Sequence, residues 1–291
     1  MTTRIAAVQM DIRIGDCSSN LAEVEAMTRE AASGGARLII FPEAVVTGYC
    51  YESLEEALAH VEPAPAGSVH RITSLCRELG VFVIYATLER ADDQVYNVAF
   101  LVGPDGLVGR YHKAHLPFLG VDRFTVAGNC APEVYEAAEI KVGMIICYDL
   151  AFPEITRSLA LAGADLVAQM TNSPAPGDFA RQVAVPARAW ENGVYFARAN
   201  RIGTERGFEF PGLAQICDPF GKTIAEATHA KPAILYADID SETARNKRRI
   251  VEPGKFETNI FEDRRPELYG RIAHPPRYAA DQLKSKPSDD K

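Results

Sequence analysis

The chain has 291 residues, 47% hydrophobic and 24% charged, with 31 Lys and Arg against 39 Asp and Glu for a formal net charge of −8. Hydrophobic content near half, with little net charge per residue, excludes an intrinsically disordered chain, and the acidic balance gives no electrostatic basis for a nucleic-acid partner. No apolar run reaches the roughly 18 residues of a membrane span, and the N-terminus passes directly into strand-like sequence, so a soluble protein without signal peptide or membrane partner is expected.

In chain order, residues 5–10 form an apolar run of strand length, and 19–32 carry apolar side chains at helical spacing. Gly34-Gly35 closes that helix, and 37–41 reads as a buried strand. A helix over 66–79 stops at Gly80, before a strand over 81–87. Residues 95–103 and 106–111, parted by Pro104-Asp105, predict a hairpin. A strand over 140–147 precedes a helix over 153–162. Then come a strand over 165–170, a helix over 180–191 and strands over 194–199, 213–218, 222–227 and 233–238. Strands and helices interleave without a Pro/Ser/Gly-rich linker, so one α/β domain is expected to about residue 240. The charged, aromatic segment 241–272 packs either on a partner subunit or on its own, and the chain end, about 273–291, reads as a flexible tail.

Six cysteines, Cys17, Cys50, Cys76, Cys130, Cys147 and Cys217, include no CxxC pair, as expected of reduced thiols in the cytoplasm. No GxSxG, HExxH, P-loop or GxGxxG motif is present, so serine-hydrolase, zincin and nucleotide-binding readings have no anchor. His112 and His115 form a close pair without further metal-ligand types, the pattern of surface or supporting residues. Three strand ends differ: Glu43 closes 38–43, Lys113 follows the hairpin, and Cys147 ends an apolar strand before a helix. Ligands and catalytic groups of α/β folds gather at such ends. A carboxylate can take the proton of a thiol, and an ammonium can favour the thiolate and steady a developing oxyanion, helped by the backbone N–H of Tyr148. Taken singly, the cysteine also reads as a buried filler, the lysine as a solvated charge and Glu43 as a helix cap.

The segments Phe41-Pro42-Glu43, 111–117 and 143–154, in order and with their reactive residues 70 and 34 residues apart, resemble the signature blocks of the nitrilase superfamily, the carbon–nitrogen hydrolases. The resemblance covers about residues 4–270, with further matches at 188–192, 245–248 and 263–265. It implies a four-layer α-β-β-α sandwich, with a carbon–nitrogen hydrolase domain over 1–272 whose C-terminal extension lies at a dimer interface. It also implies a homodimer or higher homo-oligomer, no metal and no organic cofactor. Glu43 would be general base and acid, Lys113 the oxyanion stabiliser and Cys147 the nucleophile that forms a thioester.

Many members of the superfamily carry a second glutamate after the lysine block. Here 116–124 holds none; Asp122 is the nearest acid, either an accessory acid or a loop residue. Leu150 and Ala151 stand where D-amino-acid carbamoylases place arginines to grip a carboxylate, although Arg181 or Arg201 could substitute. Tyr148-Asp149 replaces the Trp-Glu usual after the cysteine of true nitrilases. The block is most similar to the amidase branches, so the expected reaction is hydrolysis of a small carboxamide to acid and ammonia. The alternatives are an N-carbamoyl hydrolase, a nitrilase, an acyl transferase and a non-catalytic binding relative. Tyr49, Cys50, Tyr51, Phe118 and Asn172 are candidates to line the substrate pocket.

Overall fold

In a computed structural model that describes residues 2–64, 67–176 and 179–274, the chain forms two compact units, Met1–Arg248 and Arg249–Lys291. The strands are β1 (Thr2–Asp11), β2 (Leu38–Ile40), β3 (Glu62–Pro63), β4 (Phe82–Ala91), β5 (Gln94–Gly103), β6 (Gly106–His112), β7 (Val134–Ala137), β8 (Ile140–Ile146), β9 (Leu166–Thr171), β10 (Tyr195–Glu205), β11 (Phe208–Pro211), β12 (Gln215–Cys217), β13 (Thr223–Glu226), β14 (Ala233–Asp240), β15 (Arg248–Glu252) and β16 (Phe256–Asn259). The helices are α1 (Cys17–Ser33), α2 (Leu54–Leu58), α3 (Gly67–Leu79), α4 (Pro153–Leu161), α5 (Val185–Asn192) and α6 (Ser241–Arg245).

In the larger unit one sheet runs β6-β5-β4-β2-β1-β14 and the other β7-β8-β9-β10-β12-β13. They are joined where the end of β1 pairs with β10, Met10 beside Arg201 and Asp11 beside Ile202. Strand alternation explains the layers. Ile5, Ala7, Leu38 and Ile40 face Met144, Ile146, Ala168 and Met170 across a dry core between the sheets. The intervening Ala6, Val8, Ile39 and Phe41 pack with Leu21, Val24 and Met27 of α1 and Ile72 of α3 on the opposite face. The second sheet meets α4 and α5 on its outer side. Gly143 of β8 is part of that fit, because a Cβ there would stand 2.7 Å from Leu159 of α4. The result is the expected four-layer α-β-β-α sandwich.

The differences from expectation have local causes. The helix expected over 180–191 is a π-helical turn, Ala180–Ala184, that hands over to α5. Pro186 near the start of α5 lacks an N–H and crowds the preceding turn, and a widened turn accommodates it. Strand β10 continues six residues beyond the expected 194–199 because its polar side chains are buried and largely bonded within the protein, which apolar patterning does not register. The expected helix start at residue 66 and the tail from 275 lie outside the described residues. Among the described residues no helix is long and apolar enough to cross a membrane.

The smaller unit holds the β15–β16 pair and two 3-10 turns, Pro266–Leu268 and Gly270–Ala273. It exposes Val251, Phe256, Leu268 and Ile272.

Candidate active site

The end of the first sheet assembles a buried cluster of charges. Beyond β2 the chain keeps alongside β4, with N–H bonds from Phe41 to the Ile84 carbonyl (2.8 Å) and from Val45 to the Ala86 carbonyl (2.8 Å). Glu43 lies between these bonds and is fully buried, and Ala44 after it has a φ of 46°, a strained value for a residue with a Cβ. Lys113 follows β6 directly, its N–H donating to the Asn97 carbonyl of β5 at 2.9 Å. Its ammonium donates to Glu43 Oε1 at 2.8 Å and also to Asp122 Oδ2. The Asn97 amide spans the same carboxylates, 2.7 Å from Glu43 Oε1 and 3.1 Å from Asp122 Oδ1. The Tyr49 hydroxyl donates to Asp122 Oδ2 at 2.7 Å. Asp122 arrives on the 3-10 turn Gly120–Arg123, which only glycine can open. Gly120 has a φ of 50°, and a Cβ there would stand 2.7 Å from the Tyr49 carbonyl oxygen.

The second sheet contributes the thiol. Cys147 opens a 3-10 turn, Cys147–Ala151, straight from the end of β8 and with a φ of 45°. Buried Asp149 fixes that turn. Its Oδ2 accepts from Ile146 N–H (2.9 Å) and the Tyr111 hydroxyl (2.8 Å), and its Oδ1 from His115 N–H (3.0 Å) with His115 Nδ1 at 2.7 Å. One carboxylate therefore ties the cysteine turn to both sides of the lysine segment. The Gln169 amide donates to the Cys147 carbonyl at 3.0 Å. The backbone N–H of Asn172, at the end of β9, reaches across to Glu43 Oε2 at 2.9 Å and joins the two halves.

Burial dominates the electrostatics. It pushes Glu43 above the ordinary carboxylate value; Lys113 opposes that shift and the Asp122 charge adds to it. Burial alone would lower Lys113, but the Glu43 and Asp122 carboxylates outweigh it and hold the ammonium protonated. The Cys147 thiol is pushed up to about 12 by burial and then by Glu43, with Lys113 and Thr171 pulling the other way. At rest the site is a neutral thiol beside one ammonium and two carboxylates.

Not every expected residue joins this cluster. The Asn172 amide is buried with neither Nδ2 nor Oδ1 hydrogen-bonded, free to meet a ligand. Tyr148 is partly exposed, its ring edge-on to Phe152. Phe118 lies 76% exposed and borders a surface groove with Cys50, Tyr51 and Phe208. Arg181 pairs with Glu226 at 2.6 Å, and Arg201 with Glu205 at 2.6 Å and Asp11 at 3.2 Å. Of the histidines, His115 supports Asp149 as described. Sequence reasoning missed Asn97, Asp149 and Thr171; the one available signal was a polar residue inside an apolar run, as Asn97 is in 95–103. Among the described residues no three His, Cys, Asp or Glu side chains gather as a metal site would require.

The carbon-nitrogen hydrolase family model matches residues 4–249. A protein of Pyrococcus abyssi named a nitrilase is 37% identical over 269 residues, covering 92% of this chain and 99% of the relative. The N-carbamoylputrescine amidase of Arabidopsis thaliana is 31% identical over 277 residues, covering 87% of this chain and 90% of the relative. A variant of the amidase from Nesterenkonia sp. AN1, solved with the acetamide moiety of fluoroacetamide added covalently at its active-site cysteine, superposes with a TM-score of 0.76 at 26% identity, covering 91% of this chain and 95% of that one.

Asp149→Asn would turn two N–H donors of the amide toward a pair of donors that now share one oxygen. A loss of about 1–3 kcal/mol is expected in urea unfolding, together with roughly 10²-fold slower reaction of Cys147 as its turn shifts. Unchanged stability and thiol reactivity would show that Asp149 does not hold the turn.

Proposed function

This chain belongs to the carbon–nitrogen hydrolase family, and from that premise we propose that it is an amidase hydrolysing a small carboxamide to carboxylic acid and ammonia through a thioester on Cys147. The observation that carries the reading is the buried Glu43–Lys113–Asp122 cluster facing a protonated thiol. Glu43 takes the Cys147 proton as sulfur attacks the amide carbon. Two of the three N–H bonds of Lys113 are held by carboxylates, and the third is available to the developing oxyanion. The Tyr148 N–H, in the first turn of its 3-10 segment and so without an intrahelical acceptor, supplies a second donor. Glu43 then returns the proton to nitrogen, the C–N bond breaks and ammonia leaves. Water, deprotonated by Glu43, attacks the thioester, and the thiol is regenerated as the acid departs.

In this reading Asp122 is the accessory acid. Its reach, shorter than a glutamate's, suffices because the Gly120 turn brings it against Lys113. Tyr49 fixes Asp122, while Asn172, with Phe118 at the mouth, contacts substrate. The protein works as a homodimer or larger homo-oligomer in the cytoplasm. Support for assembly comes from apolar side chains left open on and near α4 and α5, Leu161 and Val183 among them, and on the C-terminal unit.

Ammonia release from a panel of amides, nitriles and carbamoyl compounds tests the reading. Cys147→Ala should abolish turnover, and Glu43→Gln should cost about 10²–10⁴-fold; wild-type rates in either variant would refute the mechanism. Because Glu43 is raised and acts as a base, kcat/KM should fall as pH drops through a value above 4.5. With Lys113 raised and Cys147 near 12, no alkaline loss should appear until far above neutrality. An acid limb at or below the ordinary glutamate value would contradict this. Light scattering after size exclusion should give at least twice the 31.8 kDa chain mass; a monomer at micromolar concentration would exclude the assembly.

A further inference from the structure

Arg198 sits on β10 in register with Gln169 of β9 and Gln215 of β12. Its chain neighbours Ala197 and Ala199 point into the core between the sheets, so Arg198 takes the other face, the side of α4 and α5. It is fully buried. Nη1 donates to the Leu213 carbonyl at 2.7 Å, while Nε and Nη2 have no hydrogen-bond partner. Those two N–H groups share one edge of the guanidinium plane, the edge that grips a carboxylate with two parallel bonds.

The placement ties this open edge to the reacting centre. Gln169, beside Arg198 on the same face, bonds the Cys147 carbonyl through Nε2 and leaves its own Oε1 unpartnered. Arg181 and Arg201 already have their carboxylates, whereas Arg198 has none among the described residues. Burial lowers the Arg198 guanidinium to about 10, with a negative charge on Cys147 opposing the shift and Arg181 adding to it, and at neutral pH it remains a cation. A sealed cation without a counter-charge is unfavourable. The Cys147 thiol, protonated at rest, does not supply that charge.

We propose that Arg198 receives a carboxylate carried on the acyl chain of the substrate, so that the preferred substrates are monoamides of dicarboxylic acids. The inference rests on the amidase reading and narrows it. A substrate with a cationic tail, such as the one named for the Arabidopsis thaliana relative, would place an ammonium against this guanidinium.

Three amides of matched length test it on the full-length wild-type protein: glutaramate with an anionic tail, valeramide with a neutral one and 4-aminobutyramide with a cationic one. Glutaramate should exceed valeramide in kcat/KM by on the order of 10²-fold, with 4-aminobutyramide the poorest. In Arg198→Gln the glutaramate-to-valeramide ratio should collapse toward unity, chiefly through KM for glutaramate, and Arg198→Lys should restore part of it. Equal use of glutaramate and valeramide by the wild type, or a preference for the cationic amide, overturns the inference while leaving the amidase reading intact. So does an Arg198→Gln variant slowed equally on both, which would put the arginine at the thiol. Turnover of none of the three overturns both. The wild-type comparison decides the matter even where Arg198→Gln does not fold.

Discussion

An ammonium with no access to water organises the catalytic end of this protein. Removing Lys113 from solvent is tolerable only because Glu43 and Asp122 accept its hydrogen bonds and Asn97 bridges the pair. The members of the cluster come from different stretches of the chain: the segments just after β2 and β6, the middle of β5 and the 3-10 turn before β7. If one strand slipped by a residue, its member of the cluster would turn to the opposite face, leaving a buried charge uncompensated. The first sheet thus holds the charge and the second holds the sulfur. Asn172, whose N–H meets Glu43, and Asp149, which clasps His115 and Tyr111, are the threads between them.

What was legible in the sequence follows from where hydrophobicity ends. Glu43 and Cys147 each terminate an apolar run and Lys113 follows directly on the hairpin, so the break in pattern marks them. Asn97 and Asp149 sit inside such runs or one turn past them, and their importance lies in bonds to residues 54 and 38 positions away. Such partners are set by strand order, which spacing along one chain does not encode. The same limit hid the second half of β10, where Arg201 is buried but paired with Glu205 and Asp11, and it hid the short partner strands β7 and β11. Asp122 was visible as the nearest acid, yet its arrival at Lys113 depends on the Gly120 turn closing over Tyr49.

One rule, that a buried charge requires an opposite one, is met in two ways. Around Lys113 the chain supplies the counter-charges itself, and the ammonium is fixed before any substrate arrives. Around Arg198 the chain supplies a single carbonyl and leaves one edge of the guanidinium bare. The first arrangement suits a group that must be in place for every turnover. The second suits a group whose partner comes and goes.

The mixture of one ammonium, two carboxylates and a neutral thiol also fixes where protons travel. In the proposed cycle the proton leaving sulfur moves to Glu43 and departs on nitrogen, and the one taken from water returns to sulfur. The summed charge of the site stays constant, because the negative charge that Glu43 loses on protonation reappears on the transient oxyanion against Lys113. Neither half-reaction has to draw a proton from bulk solvent or shed one into it. A pocket sealed this tightly needs a passage for substrate, ammonia, water and acid, but none for hydronium or buffer.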